Sequence, residues 1–171
     1  MSSYRPRRLD PDTDLDLVHG WVSEPRARFW GMLGKSRAEV EEIYRWIDEQ
    51  EHLAAYLLEV DGVPIGLVQT YDPFVDEIGA FYDRRPGDVG VHLLLADTPA
   101  RAGRTERELM RFLTWLAEQG TRRVVLEPDA DNEASVRRGL ALGFTRGPVV
   151  DLPHKRAQFL FLDVGGEGSR T

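Results

Sequence analysis

The chain has 171 residues, of which 42% are hydrophobic, 9% aromatic and 30% charged, enough for one domain with a sizeable core and unlike a disordered, collagenous or membrane-embedded composition. Its 22 Lys and Arg against 29 Asp and Glu leave a net charge of −7, which disfavours broad electrostatic binding to nucleic acid or anionic lipid, so a phosphate-bearing ligand must be held by local basic groups. The absence of cysteine excludes disulfides, thiolate-held metals and a cysteine nucleophile. No apolar run approaches the roughly 18 residues of a membrane span, and MSSYRPRRLD carries charges with no apolar stretch behind them, so a cytoplasmic location is expected.

One domain is expected over 4–163, followed by a disordered tail, 164–171, that contains GGEGSRT. Residues 16–22 form a short helix candidate, and Ser36-Arg-Ala-Glu39 is a capping box leading into Val40, Ile43, Tyr44 and Ile47 at helical spacing. LAAYLLEV (53–60) and PIGLVQTY (64–71) flank Asp61-Gly62, a strong hairpin signal. VGVHLLLA (89–96) alternates, which places Gly90, His92 and Leu94 on one face of a third strand. A helix over 104–119 carries Leu109, Phe112, Leu113 and Leu116 on one stripe. RRVVLE (122–127) is a fourth strand, 132–142 a helix that Gly143 ends, and two short strands follow near 146–151 and 157–163. This order predicts a mixed α/β sheet with helices packed on it.

Four places are candidates for chemistry. The turn Arg101-Ala102-Gly103-Arg104-Thr105 opens a helix, where free N–H groups and the helix dipole receive an anion and a glycine allows close approach. The alternative is an ordinary strand-to-helix turn with solvated arginines. His92, beside Gly90, is either a general base with room for substrate next to it or a partly buried histidine satisfied by its neighbours. EPDADN (127–132) follows a strand, where acidic groups line the ligand crevice of open α/β sheets. Asp131 and Asn132 there fit helix capping, and Asp129 is free to hold an amine or orient a base. YDPFVDEIGAFYDRRPGD (71–88) gathers Tyr71, Asp72, Asp76, Glu77, Tyr82, Asp83 and Asp88, either walls for a cationic, aliphatic substrate or a surface connection that buries its own aromatics.

Together, the strand before RAGRT, the phosphate turn, EPDADN and the helix ending LGF resemble the GCN5-related N-acetyltransferase family across nearly the whole chain. YDPFVDEIGAFY, GDVGVHLLLAD, EPDADN and LPHKRAQFLFL look like its siderophore-biosynthesis acyltransferases, which acylate hydroxylysine, hydroxyornithine or hydroxycadaverine. The resemblance implies a mixed, mostly antiparallel sheet with a splayed central strand pair and helices on both faces. It implies acetyl-CoA or another acyl-CoA as co-substrate, a small amine or hydroxylamine acceptor, and no metal, nucleic acid or membrane partner. It also implies donor contacts at Leu94, Leu95, Arg101 to Thr105 and Asn132, a catalytic pair at His92 and Asp129, and acceptor contacts at Tyr71, Asp72, Glu77 and Tyr82. Two positions depart from the family pattern: Ala100 stands where the phosphate loop is basic, and Gly139 where many members carry a tyrosine that protonates the leaving thiolate. An aminoglycoside-type N-acetyltransferase and a non-catalytic acyl-CoA-binding module are the competing readings.

Overall fold

The structure, a computed structural model, describes residues 4–166. Seven strands and four helices alternate in a mixed α/β order, and the chain divides into two compact units, one of residues 6–70 and 93–105, the other of 71–92 and 106–166 with residues 4–5. No helix among the described residues is long and apolar enough to cross a membrane.

In the first unit, strands β1 (Arg7–Arg8), β2 (Leu53–Val60) and β3 (Val63–Tyr71) lie side by side in that order. The hairpin between β2 and β3 turns on Asp61 and Gly62, whose φ values of 50° and 79° fit the favoured two-residue hairpin turn. Helices α1 (Leu15–Val22) and α2 (Arg37–Glu49) pack on each other, and α2 packs on β2. The capping box works as written: Ser36 Oγ accepts from the Glu39 N–H at 3.1 Å and donates to the Glu39 carboxylate at 3.2 Å. One turn later the α2 face buries Val40, Tyr44 and Ile47 against Val18, Val22 and Leu57. Burying Tyr44 leaves a hydroxyl to satisfy, and Gln69 Nε2 donates to it at 2.9 Å.

In the second unit the strand order is β4 (Asp88–Leu95), β5 (Arg123–Leu126), β7 (Arg156–Asp163) and β6 (Thr145–Asp151), with the C-terminal residues of β4 belonging to the first unit. β5 is parallel to β4 and antiparallel to β7, which is antiparallel to β6. The β4–β5 ladder runs only from Asp88–Arg123 to Gly90–Val125, although both strands continue. The expected splayed pair therefore opens directly before His92. Helix α3 (Thr105–Glu118) buries Leu109, Phe112, Leu113 and Leu116 as its spacing predicts. Helix α4 (Glu133–Ala141) packs on β7 so closely that a Cβ at Gly139 would lie 2.7 Å from the Leu160 side chain. Position 139 is thus a packing position where a larger residue requires the Leu160 side chain or the helix to shift.

Element boundaries fall within two residues of expectation. The pattern did not signal the two-residue β1 or the 3₁₀ turns at Pro25–Trp30, Glu77–Phe81 and Pro99–Arg101. Part of the expected tail is held: the Val164 and Gly165 N–H groups donate to the Arg122 carbonyl at 2.8 and 3.2 Å. Residues 167–171 of that tail lie outside the described residues.

Candidate active site

The β4 residue His92 reaches a carboxylate that sequence reasoning had passed over. Its Nε2 is hydrogen-bonded to Oε1 of Glu127, the residue just after β5. Glu127 is 1% exposed, whereas the His92 side chain keeps 35% of its surface open. A lone buried carboxylate costs several kcal/mol, about what two close positive partners offset. Here the second partner is Lys155, from the turn between β6 and β7, with Nζ 3.6 Å from the same Oε1. Burial alone would push the Glu127 carboxyl up, but the His92 charge and hydrogen bond, helped by Lys155, hold it below the usual carboxylate range. With Glu127 ionised, the His92 Nε2–H is the donor of this hydrogen bond. The carboxylate fixes the orientation of the imidazole from its Nε2 side.

Tyr71, expected as an acceptor contact, lies against this pair instead. Its ring centroid is 5.2 Å from that of His92, tilted by 39°. A Cβ at Gly90 would fall inside the Tyr71 ring, so the space that Gly90 was expected to leave for substrate is filled by tyrosine. The Tyr71 hydroxyl and Glu127 Oε2 are both buried and without a hydrogen bond of good geometry. Burial, and next the charge of Glu127, push the Tyr71 phenol well above its ordinary value, so it stays protonated.

Asp129 lies two residues along the chain from the buried acid, where it bridges to Ala157 of β7. Its Oδ1 accepts from the Asp131 N–H at 2.9 Å, which fixes the carboxylate at the turn. The carboxylate that orients the imidazole from Nε2 is Glu127 rather than Asp129, a correction to the expected pairing. Asn132 is the N-cap of α4, its Oδ1 accepting from the Ser135 N–H at 3.3 Å; that oxygen is used by the helix and not by a donor.

The 71–88 segment divides in the same way. Asp72 Oδ1 accepts from the Phe74 N–H at 2.9 Å and Asp76 Oδ1 from the Ile78 N–H at 3.0 Å, so both close local turns; Glu77 is exposed. Tyr82 is not an open pocket wall: its hydroxyl donates to Asp88 Oδ2 at 2.8 Å. Asp88, 5% exposed, also receives both Nε and Nη2 of Arg123 at 2.8 and 2.7 Å, a bidentate pair at the start of β4.

In the first unit, the turn before α3 has Gly103 at φ 70° with open space where a Cβ would stand. A residue with a side chain would be strained there. The N–H groups of Arg101, Ala102 and Arg104 are taken by carbonyls of the turn itself at 2.9–3.2 Å. Among the described residues of this turn, the Gly103 N–H is then a donor left for an anion. Arg101, expected as a clamp, bonds inward to the Ala96 carbonyl at 2.7 Å and to Thr105 Oγ1 at 3.2 Å. Arg104 pairs with Asp61 at 2.7 Å on the surface. Leu95 is buried and its carbonyl accepts from Arg26 Nη1 at 2.6 Å, while Leu94 packs against the core of the same unit.

Each unit thus offers one candidate feature, a glycine turn before a helix in the first and a histidine where two strands part in the second. The family model for the acetyltransferase (GNAT) domain matches residues 10–152, and the chain belongs to that family. Among curated relatives, the N(6)-hydroxylysine O-acetyltransferase of Escherichia coli is 29% identical over 161 residues, which cover 92% of this chain and 51% of that protein. The N(5)-hydroxyornithine:cis-anhydromevalonyl coenzyme A-N(5)-transacylase SIDF of Beauveria bassiana is 33% identical over 148 residues, 84% of this chain and 32% of that one. The N-hydroxyputrescine acetyltransferase of Acinetobacter baumannii is 28% identical over 130 residues, 75% of this chain and 62% of its own length. The chain thus spans between about a third and three-fifths of these relatives. Among solved structures, an uncharacterized protein of Bacillus halodurans superposes with a TM-score of 0.85 at 22% identity, over 93% of this chain and 84% of that one. An aminoglycoside acetyltransferase in complex with coenzyme A and kanamycin gives 0.77 at 22% identity, over 92% of each chain. These two share the fold.

Proposed function

We propose that the protein is an acyl-CoA-dependent N-acyltransferase that transfers an acetyl or other short acyl group to a small N-hydroxyamine of the hydroxylysine, hydroxyornithine or hydroxycadaverine type, in hydroxamate siderophore synthesis. The observation that carries the reading is His92 held through Nε2 by the buried Glu127, in a chain whose similar relatives are named for N-hydroxylated diamines and amino acids.

The thioester donor would lay its pyrophosphate on the backbone of the Arg101 to Thr105 turn, at Gly103. The acceptor nitrogen attacks the thioester carbon, its N–H proton passes to the His92 imidazole, and the C–S bond breaks as the tetrahedral intermediate collapses. Asp129 anchors the acceptor. An N-hydroxyamine is less basic than an alkylamine and reaches the site neutral near pH 7, so the base needs to remove a proton only as the bond forms. With Gly139 packed against Leu160, the coenzyme A thiolate leaves without a tyrosine from that position and takes its proton from water.

The test is thiol release with acetyl-CoA and succinyl-CoA, each paired with N6-hydroxylysine, N5-hydroxyornithine, N-hydroxycadaverine, and the parent amines. We expect turnover with at least one N-hydroxyamine and a kcat/KM at least about 10-fold below it for the matching amine at pH 7, because most of that amine is protonated. Turnover with kanamycin and none with any N-hydroxyamine would overturn the reading in favour of an aminoglycoside acetyltransferase. Coenzyme A binding without any turnover would make the chain a binding module.

A further inference from the structure

The geometry points to Lys155 as a positioning residue that shares the charge of the Glu127 carboxylate with His92, so that the imidazole can release its proton and serve as the base. This rests on the reading of His92 as the base. Glu127 is wholly enclosed and one of its oxygens faces both His92 Nε2 and, at 3.6 Å, Lys155 Nζ. Its other oxygen is buried and makes no hydrogen bond of good geometry, with the Tyr71 hydroxyl as a neighbouring donor. The groups that face the carboxylate among the described residues are His92 from β4, Tyr71 from the end of β3 and Lys155 from the β6–β7 turn, which brings an ammonium group.

The fold takes some care to bring it there. Leu152 N–H donates to the Lys155 carbonyl at 2.8 Å, which closes the Leu152–Lys155 turn. The Gln158 N–H then donates to the Pro128 carbonyl at 2.9 Å and the Ala130 N–H to the Arg156 carbonyl at 2.8 Å. These bonds fasten the start of β7 along the EPDADN segment, so the lysine, 17% exposed at its side chain, turns in toward Glu127 while His154 and Arg156 on either side are exposed.

Charge arithmetic gives the consequence. With Lys155 present, ionised Glu127 is already neutralised and the imidazole can give up its proton without stranding a buried charge. Without Lys155, the imidazolium is the only counter-ion, and the His92–Glu127 pair holds its proton to higher pH.

The experiment uses the full chain with Lys155→Met, Lys155→Gln and Lys155→Arg, comparing kcat/KM against pH for the best N-hydroxyamine and following the His92 imidazole by NMR titration without substrate. Both neutral variants should lower kcat/KM about 10-fold at pH 6 and leave it within about 2-fold at pH 9, a displacement of roughly one pH unit, with the His92 titration moving up in step. Lys155→Arg should follow the wild type. Acceptor ionisation cancels in the ratio. Neutral variants, folded by thermal melting, that titrate with the wild type overturn the inference, as does a loss of rate that is equal at every pH. A neutral variant that does not fold leaves the decision to the other neutral variant and to Lys155→Arg. A moved NMR titration in an enzyme whose turnover survives His92→Ala overturns His92 as the base, while the charge relation between Lys155 and the pair stands.

Discussion

Replacing His92 with alanine should lower kcat by about 10²- to 10⁴-fold with an N-hydroxyamine acceptor while the affinity for acetyl-CoA stays within a few-fold of wild type. The split follows from the geometry. The donor contacts proposed here are backbone groups of the Arg101 to Thr105 turn, at Gly103, whereas the imidazole is fixed by Glu127 and has no part in holding a pyrophosphate. Glu127→Gln should fall between the two: the amide still reaches Nε2, but it no longer balances an imidazolium in the transition state. The measurements are steady-state rates and calorimetric binding of coenzyme A. Near wild-type kcat in His92→Ala would mean that positioning alone carries the rate and that the histidine is a structural partner of Glu127.

Asp88→Asn should cost about 3–5 kcal/mol of stability, because it leaves the Arg123 guanidinium, 7% exposed, without its carboxylate. For a chain of this size that is a fall of roughly 10 °C in Tm, readable by calorimetry or circular dichroism. The same pair fixes a pH dependence. Burial raises the Asp88 carboxyl, but the hydrogen bonds from Arg123, the Arg85 N–H and Tyr82 outweigh it and hold the group below its ordinary value. A depressed carboxylate stabilises the fold at pH values above its unfolded pKa and loses that contribution as pH falls through its folded one. Glu127 is depressed as well. The wild type should therefore lose stability steadily below about pH 4, and Asp88→Asn should show a shallower acid slope. Parallel slopes would mean that Asp88 is equally stabilised in the unfolded chain.

Helices and strands were legible because each carried its own signal. The capping box, the Asp-Gly hairpin and the two stripes of α2 and α3 depend on residues within one or two turns of each other. His92 and the glycine turn were legible as candidates for the same reason. Glu127 was not: at the end of RRVVLE it looks like the polar close of a strand, and its burial depends on His92, 35 positions earlier, and on a lysine in a distant hairpin. The EPDADN segment was singled out, yet within it the Asx turn at Asp129 and the cap at Asn132 absorb polar atoms that spacing alone leaves open. Arg101 misled for a related reason, since a guanidinium beside a helix start looks available until the carbonyl of Ala96 is seen to hold it.

The seating of the Tyr71 ring where Gly90 lacks a side chain makes two positions on different strands inherit together. Evolution can enlarge residue 90 only after residue 71 has become small, and the intermediate with both large is excluded by steric overlap next to the histidine. In a combinatorial library an aromatic at 71 should be recovered with glycine at 90, and alanine or serine at 90 with a trimmed residue at 71. The pair would then behave as a single heritable unit, and a lineage that changed it would reshape the wall behind the imidazole without altering the imidazole itself.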